Sequence, residues 1–159
     1  MSSIGKKVNL LCKLALEDGA DRDSLKNQLR EILDKEDHKP ASVEATVRNA
    51  LRNAAVPTGI QGYTYLVEAV SMAVADPFVV RNMTRSGGVY ELIAKKYNST
   101  ASRIERGVRH GIELSFSRGD PDVLYEIFRG SISPLKGKPT NREFISTIAE
   151  CVREEVLEA

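Results

Sequence analysis

The sequence predicts an all-α protein, because apolar residues recur at helical spacing along most of the chain and strand-like alternation is almost absent. The chain has 159 residues, which fits one domain with an appendage. Its 42% hydrophobic and 28% charged residues and formal net charge of +1 are ordinary for a globular protein. Its apolar runs are far shorter than the ~20 residues that a membrane-spanning helix needs. We therefore expect a helical protein that contacts no membrane. Its two cysteines, Cys12 and Cys151, lie near opposite ends without metal-type pairing, which favours a cytoplasmic protein.

Residues 1–40 predict a helical extension followed by a linker. Apolar residues at steps of three and four mark two short helices, with Leu11 on the first and Leu29 on the second. Pro40 marks the linker, because proline lacks the backbone N–H and restricts the residue before it. Two such helices bury too little surface to be stable alone. We expect their apolar stripe to pack either on the rest of the chain or on a second copy, which would give a homodimer.

Residues 41–159 predict a second helical unit with recognisable start and stop signals. Ser42 opens its first helix, Asp120 is a typical N-cap residue, and Thr140 with Glu143 forms a capping box at the start of the last helix. The stretch 129–138 is rich in turn residues. The predicted helices run from 43 to before 57, through 65–74 to a stop at 76–77, from 77 to about 85, from 89 to 97, from 101 to 117, from 120 to 128 and from 140 onward.

The residue inventory argues against catalysis and against a metal site. The two histidines, His38 and His110, have no cysteine or second histidine at ligand spacing, whereas a structural zinc needs about four such ligands. The glycine pair Gly87-Gly88 lacks the surrounding sequence pattern of a phosphate-binding loop. His110 lies among arginines that oppose its protonation during general-base catalysis. We expect no catalytic residue, no metal and no cofactor.

Positive charge is concentrated in one part of this nearly neutral chain. Residues 81–118 carry eight basic residues against three acidic ones, whereas residues 119–159 carry five against eight. Such segregation is typical of a surface that binds an anion. A solvated helix face is the alternative interpretation, but a purely structural face usually intersperses charges of both signs.

The basic stretch also has the pattern of a helix-turn-helix. Ile93 and Tyr97 are predicted to face inward on the first helix, and Asn98 lies at the turn, where asparagine tolerates a left-handed conformation. The second helix has an apolar arc of Ala101, Ile104, Val108, Ile112 and Phe116. Its opposite arc contains Ser102, Arg103, Arg106, Arg109, His110 and Glu113, with Glu105 beside it. Arginine can donate hydrogen bonds to guanine, and glutamate can accept one from cytosine. This face is therefore typical of a helix that binds in the major groove of double-stranded DNA.

Longer motifs extend the pattern beyond the helix-turn-helix. They are 56–57 (VP), 62–66 (GYTYL), 93–106 (IAKKYNSTASRIER), 109–110 (RH), 117–119 (SRG) and 138–141 (KPTN). With these motifs, residues from about 43 to 159 resemble the C-terminal DNA-binding effector domain of the sporulation-initiating response regulator of spore-forming Firmicutes. The resemblance implies a six-helix effector domain that contains a helix-turn-helix and recognises promoter DNA, several copies of which can bind adjacent sites.

The resemblance also implies roles for individual residues. Arg103, Glu105 and Arg106 match the positions that read bases in the family. Positions that approach bases or backbone are matched by Ser102, Arg109 and His110. Contacts to phosphates are implied for Lys95, Lys96, Ser99, Thr100 and Lys138, although each of these lysines could equally be a solvated surface charge.

The chain departs from the family pattern in three respects. Only about 40 residues precede the match, too few for a receiver domain, so we expect no phosphorelay control of this chain by itself. Gly107 and Gly111 stand where the family usually has alanine, and glycine costs about 1 kcal/mol relative to alanine inside a helix. This predicts that the second helix settles fully only on DNA or a partner. Phe116 stands where the family usually has tryptophan, which should leave the fold intact.

Two hypotheses for the function follow. The first is a sequence-specific DNA-binding transcriptional regulator, related to sporulation, that reads the major groove with the helix 101–117. The alternative is a receiver-less interaction protein that modulates a related regulator or RNA polymerase without specific DNA reading. The intact Arg103, Glu105 and Arg106 favour the first hypothesis, whereas Gly107 and Gly111 leave room for the second.

Overall fold

A computed structural model describes residues 42–129, 132 and 137–158, together with Asn27. The chain divides into two units, residues 1–40 and 41–159, and apart from Asn27 the described residues all belong to the second. The helical hairpin predicted for the N-terminal extension therefore lies outside the described residues. Most of the turn-rich stretch at 129–138 lies outside them as well.

The described part of the second unit is helical and contains no strand, which confirms the predicted all-α class. Its six α-helices are α1 (Val43–Asn53), α2 (Gln61–Ala75), α3 (Val89–Lys96), α4 (Ala101–Arg118), α5 (Pro121–Phe128) and α6 (Asn141–Glu158). The short helix predicted for residues 77–85 is a 3-10 helix, Pro77–Asn82. It ends earlier than the predicted end at about 85, and the chain then turns through Gly87, whose φ of 73° lies in the left-handed region.

Side-chain caps define the helix starts that the sequence predicted. Ser42 accepts a hydrogen bond from the backbone N–H of Ala45 at 3.2 Å, and Asp120 accepts one from Asp122 at 2.9 Å. At the start of α6, the Thr140 hydroxyl accepts from the N–H of Glu143 at 3.2 Å. The Glu143 carboxylate accepts in return from the N–H of Thr140 at 2.7 Å. The predicted capping box is therefore confirmed.

Helix α2 is the centre of the core. Eight of its residues are buried, and it packs against α1, α3, α4, α6 and the 3-10 helix. Helix α5 packs on α6, where the rings of Phe128 and Phe144 stack with centroids 5.1 Å apart. The half-buried Phe116 adds a third ring, 5.4 Å from Phe128. These contacts form a packed core against which one face of α4 lies, while its opposite face points outward.

Glycines allow α4 to lie directly against α2. A Cβ atom built on Gly62 would lie 2.1 Å from the carbonyl oxygen of Gly107, a separation that no side chain can tolerate. A Cβ on Gly107 would lie 2.9 Å from a ring carbon of Tyr65, and one on Gly111 would lie 3.0 Å from Leu66. Gly107 and Gly111, which the sequence predicted to weaken α4, are therefore positions where α4 packs closely on α2.

Candidate nucleic-acid interface

Helices α3 and α4 form the predicted helix-turn-helix. Asn98 has a φ of 48°, so the left-handed residue expected at the turn is confirmed. The N–H of Ser99 donates to the carbonyl oxygen of Ala94 at 2.9 Å, which closes the end of α3 as a Schellman motif does. The hydroxyl of Thr100 then caps α4 by accepting from the N–H of Arg103 at 3.3 Å. Ser99 and Thr100 thus set the angle at which α4 leaves the turn.

The inner face of α4 orients its outer face. Ile104, Val108 and Ile112 are fully buried, as the apolar arc predicted. Ala101 is exposed at the helix start, so that part of the prediction was wrong. The sequence did not predict the burial of Ser115, whose hydroxyl donates to the carbonyl oxygen of Ala54 at the end of α1. Because the inner residues are held in this way, α4 cannot rotate without breaking the core.

The polar arc of α4 lies outward in the structure. The exposed side chains along it are those of Ser102, Arg103, Glu105, Arg106, His110 and Glu113. Arg103 and Arg106 take part in no ion pair among the described residues. Their guanidinium groups, one helical turn apart beside Glu105, are therefore available to an external partner.

Arg109 differs from the other arginines of this arc, because it is held by the protein. Its side chain is 34% exposed, and its Nε lies 3.1 Å from a carboxylate oxygen of Glu113. Its Nη1 donates to the carbonyl oxygen of Pro139 at 2.8 Å. Arg109 therefore joins α4 to the segment that precedes α6. The exposed Lys138 immediately precedes Pro139 in the chain, so this bond also brings Lys138 beside α4.

The two lysines at the end of α3 have different surroundings. Lys95 is 69% exposed on its side chain and lies 3.3 Å from Glu91, one turn earlier on the same helix. The Nζ of Lys96 lies 2.6 Å from Glu68 of α2, and the Tyr97 hydroxyl donates to the same carboxylate oxygen at 2.9 Å. The charge of Lys96 is thus engaged within the protein, whereas that of Lys95 is more available.

Glu68 also explains why the inward orientation predicted for Tyr97 was wrong. The Tyr97 side chain lies at the surface, with its ring edge-on to Tyr65 and its hydroxyl on Glu68. Burial disfavours the charge on Glu68, but the hydrogen bonds from Lys96 and Tyr97 outweigh it and hold the pKa of this carboxyl below its usual value. The hydrogen bond to Glu68 in turn raises the pKa of Lys96.

Two clefts flank the ridge that Arg106 forms on α4. One has a volume of about 430 Å³ and is lined by residues that include Gln61, Ser99, Arg103 and Arg106. The other, of about 510 Å³, is lined by residues that include Glu105, Arg106, Arg109 and Arg142. The sequence interpretation missed Gln61 and Arg142. Arg142 did carry a signal, since a basic residue in the first turn of a helix opposes the helix dipole.

The described ranges contain neither a membrane-spanning helix nor a metal-binding cluster. No helix there is long and apolar enough to cross a membrane. No group of three or more histidine, cysteine, aspartate or glutamate side chains there could hold a metal ion.

A protein-family model matches most of the second unit. The family model described as "Sporulation initiation factor Spo0A C terminal" matches residues 47–152, which is more than half of the chain. The matched region contains all of α2 to α5 and most of α1 and α6. It includes the whole helix-turn-helix and both clefts beside Arg106.

Proposed function

This chain belongs to the Spo0A C-terminal family of sporulation initiation factors, and we propose that it is a sequence-specific transcriptional regulator that reads the major groove with α4. The family is one of DNA-binding regulatory domains of sporulation and not of enzymes. One observation supports the proposal that α4 reads the DNA sequence. Arg103, Glu105 and Arg106 are exposed together on the first half of a helix whose opposite face is locked in the core.

The proposed base contacts follow from the chemistry of these three side chains. Arg103 and Arg106 have no ion-pair partner among the described residues, and each can present two donors to the O6 and N7 atoms of guanine. Glu105 can accept a hydrogen bond from the N4 amino group of cytosine. A recognition helix usually presents its N-terminal residues to the bases, which suits this placement near the start of α4. Ser102 and His110 extend the same exposed face.

Phosphate contacts are proposed for residues around this face. Lys95 and Lys138 are exposed, and an exposed lysine can neutralise a phosphate as a point charge. Lys96 already contacts Glu68, and Arg109 already contacts Pro139. We propose that each of these two side chains contacts the DNA backbone in addition to its contact within the protein. Ser99 and Thr100 hold the turn and present polar groups beside the start of α4.

Selection of DNA sites from a random duplex library, followed by titration at two salt concentrations, tests the proposal. A specific regulator should enrich a common site and bind it at least about a thousandfold more tightly than a scrambled duplex. The preference should persist at the higher salt concentration, where binding to phosphates alone weakens. Equal affinity for selected and scrambled duplexes would contradict specific reading. It would favour the interaction protein that the sequence left open.

The proposal also predicts two protein partners, a second copy of this chain and RNA polymerase. A homodimer is supported by the apolar stripe that the sequence predicts in residues 1–40, and contact with RNA polymerase is expected of a regulator that acts at promoters. Sedimentation of the full chain and of a chain starting at Ala41 tests the first. A dimer that becomes a monomer on truncation supports it, and a monomer in both cases contradicts it.

A further inference from the structure

We propose that Arg142 is a DNA-phosphate contact that extends the interface from the helix-turn-helix to the start of α6. This inference rests on the proposed function, since it adds a residue to the same binding surface. It starts from the cleft of about 510 Å³ beside Arg106, which α4 and the first turn of α6 line together. Three of its lining residues are arginines: Arg106, Arg109 and Arg142.

Several hydrogen bonds hold the first turn of α6 against the recognition helix. The Asn141 side-chain amide donates to the Tyr90 hydroxyl at 3.0 Å and to the carbonyl oxygen of Glu105 at 3.4 Å. Arg109 holds the carbonyl oxygen of Pro139 two residues earlier. Arg142 is therefore carried on backbone that is anchored to α3 and α4. Its position relative to Arg106 does not depend on a free loop.

The side chain of Arg142 is exposed, and its charge acts on the cleft. Burial raises the pKa of Tyr90, and the Arg142 guanidinium is close enough to oppose that rise. No ion pair within the described ranges involves Arg106 or Arg142. Arg109 is paired with Glu113, which does not line the cleft, and among the described lining residues the one carboxylate is that of Glu105. The cleft therefore carries excess positive charge that an anion would neutralise.

The geometry of the major groove indicates which anion this is. The groove is about 12 Å wide, and a helix with its side chains is about 10–12 Å across, so an inserted helix fills it. A side chain on a neighbouring element, beside the inserted helix, then faces the wall of the groove. That wall is the sugar–phosphate backbone, and arginine can bind a phosphate through two parallel hydrogen bonds. Arg142 thus contributes affinity without reading a base.

The test measures binding of Arg142→Ala, Arg142→Gln and Arg142→Lys to the selected site and to a scrambled duplex over a range of salt concentrations. Arg129→Ala is the control, because it removes the same charge from an exposed residue that follows α5. Both neutral variants should weaken binding to the two duplexes by the same factor. They should also reduce the slope of log K against log salt by about 0.9. Arg142→Lys should keep the wild-type slope, and Arg129→Ala should match the wild type.

The outcomes separate this inference from the proposed function. If the wild type prefers the selected site and both neutral variants match Arg129→Ala, Arg142 is not a contact and the proposed function stands. If they weaken the selected site alone with an unchanged salt slope, Arg142 reads a base and the phosphate assignment is wrong. If the wild type itself shows no preference between the duplexes, the proposed function fails, and the inference fails with it.

Discussion

Arg109 donates a hydrogen bond from its Nη1 to the carbonyl oxygen of Pro139 at 2.8 Å, across 30 positions of sequence. This bond ties α4 to the segment that precedes α6. The outer face of α4 is therefore held at both flanks, by the turn at Asn98 and by the Arg109 contact. A DNA-reading face needs such support, because its side chains must meet base edges in one defined geometry.

The first prediction concerns this anchor. Arg109→Ala removes a hydrogen bond to a backbone carbonyl and a contact with Glu113, so the free energy of unfolding should fall by about 1 kcal/mol. The matched control is Arg106→Ala, which removes an exposed arginine of the same helix and should change stability by less than about 0.5 kcal/mol. Denaturant unfolding of the three proteins measures both values. Equal stabilities for the two variants would contradict a structural role for Arg109.

The second prediction concerns the contact between α2 and α4. Gly62→Ala should destabilise the protein by about 1–3 kcal/mol, because the new Cβ would lie 2.1 Å from the backbone oxygen of Gly107. Gly59→Ala is the control, since a Cβ there meets nothing within 4 Å. Thermal unfolding compares the two variants. If both have the same unfolding midpoint, the close helix approach is wrong.

The third prediction concerns pH and Glu68. The folded state holds the pKa of this carboxyl below its usual value of 4.5, so its ionised form stabilises the fold above that pH. This stabilisation should be lost as the pH falls through the lowered folded-state pKa. Glu68→Gln should therefore be less stable than the wild type at neutral pH, and the difference should shrink on acidification. Unfolding at a series of pH values measures it, with Glu150→Gln, an exposed change on α6, as control. A constant difference across pH would contradict the role of Glu68.

The fourth prediction separates the two lysines of α3. Lys95→Ala should weaken binding to all duplexes alike and reduce the salt slope by about 0.9, as expected for one lost phosphate contact. Lys96→Ala should reduce the slope less, because its Nζ already lies 2.6 Å from Glu68. It should instead lower the stability of the fold. Salt titrations and unfolding of both variants test this, and the reverse order of salt slopes would contradict it.

The sequence predicted the features that depend on local chemistry. The turn at Asn98, the caps at Ser42 and Asp120 and the capping box at Thr140 all follow from residues close together in the chain. The outward arc of α4 also follows, because its periodicity reports which side is buried.

Contacts between distant residues could not be predicted in this way. Lys96 and Tyr97 meet Glu68 from 28 and 29 positions away, so periodicity within α3 placed Tyr97 on the wrong side. The roles of Arg109 and Gly107 depend on Pro139 and Tyr65, which belong to other elements. The place of Arg142 in the cleft could not be predicted for the same reason, since only the packed fold brings it beside Arg106.

The most direct test of specific reading by α4 is a titration of Arg106→Ala against the selected site and its single-base-pair variants. Removing a bidentate base contact should cost about 1–3 kcal/mol on the selected site and should abolish discrimination at one base pair while leaving the other positions unchanged. Arg129→Ala, which removes an equal charge after α5, should keep the full pattern of discrimination. If Arg106→Ala retains the affinity and the base preferences of the wild type, α4 does not read DNA through Arg106, and the assignment of this face as the sequence-reading surface is wrong.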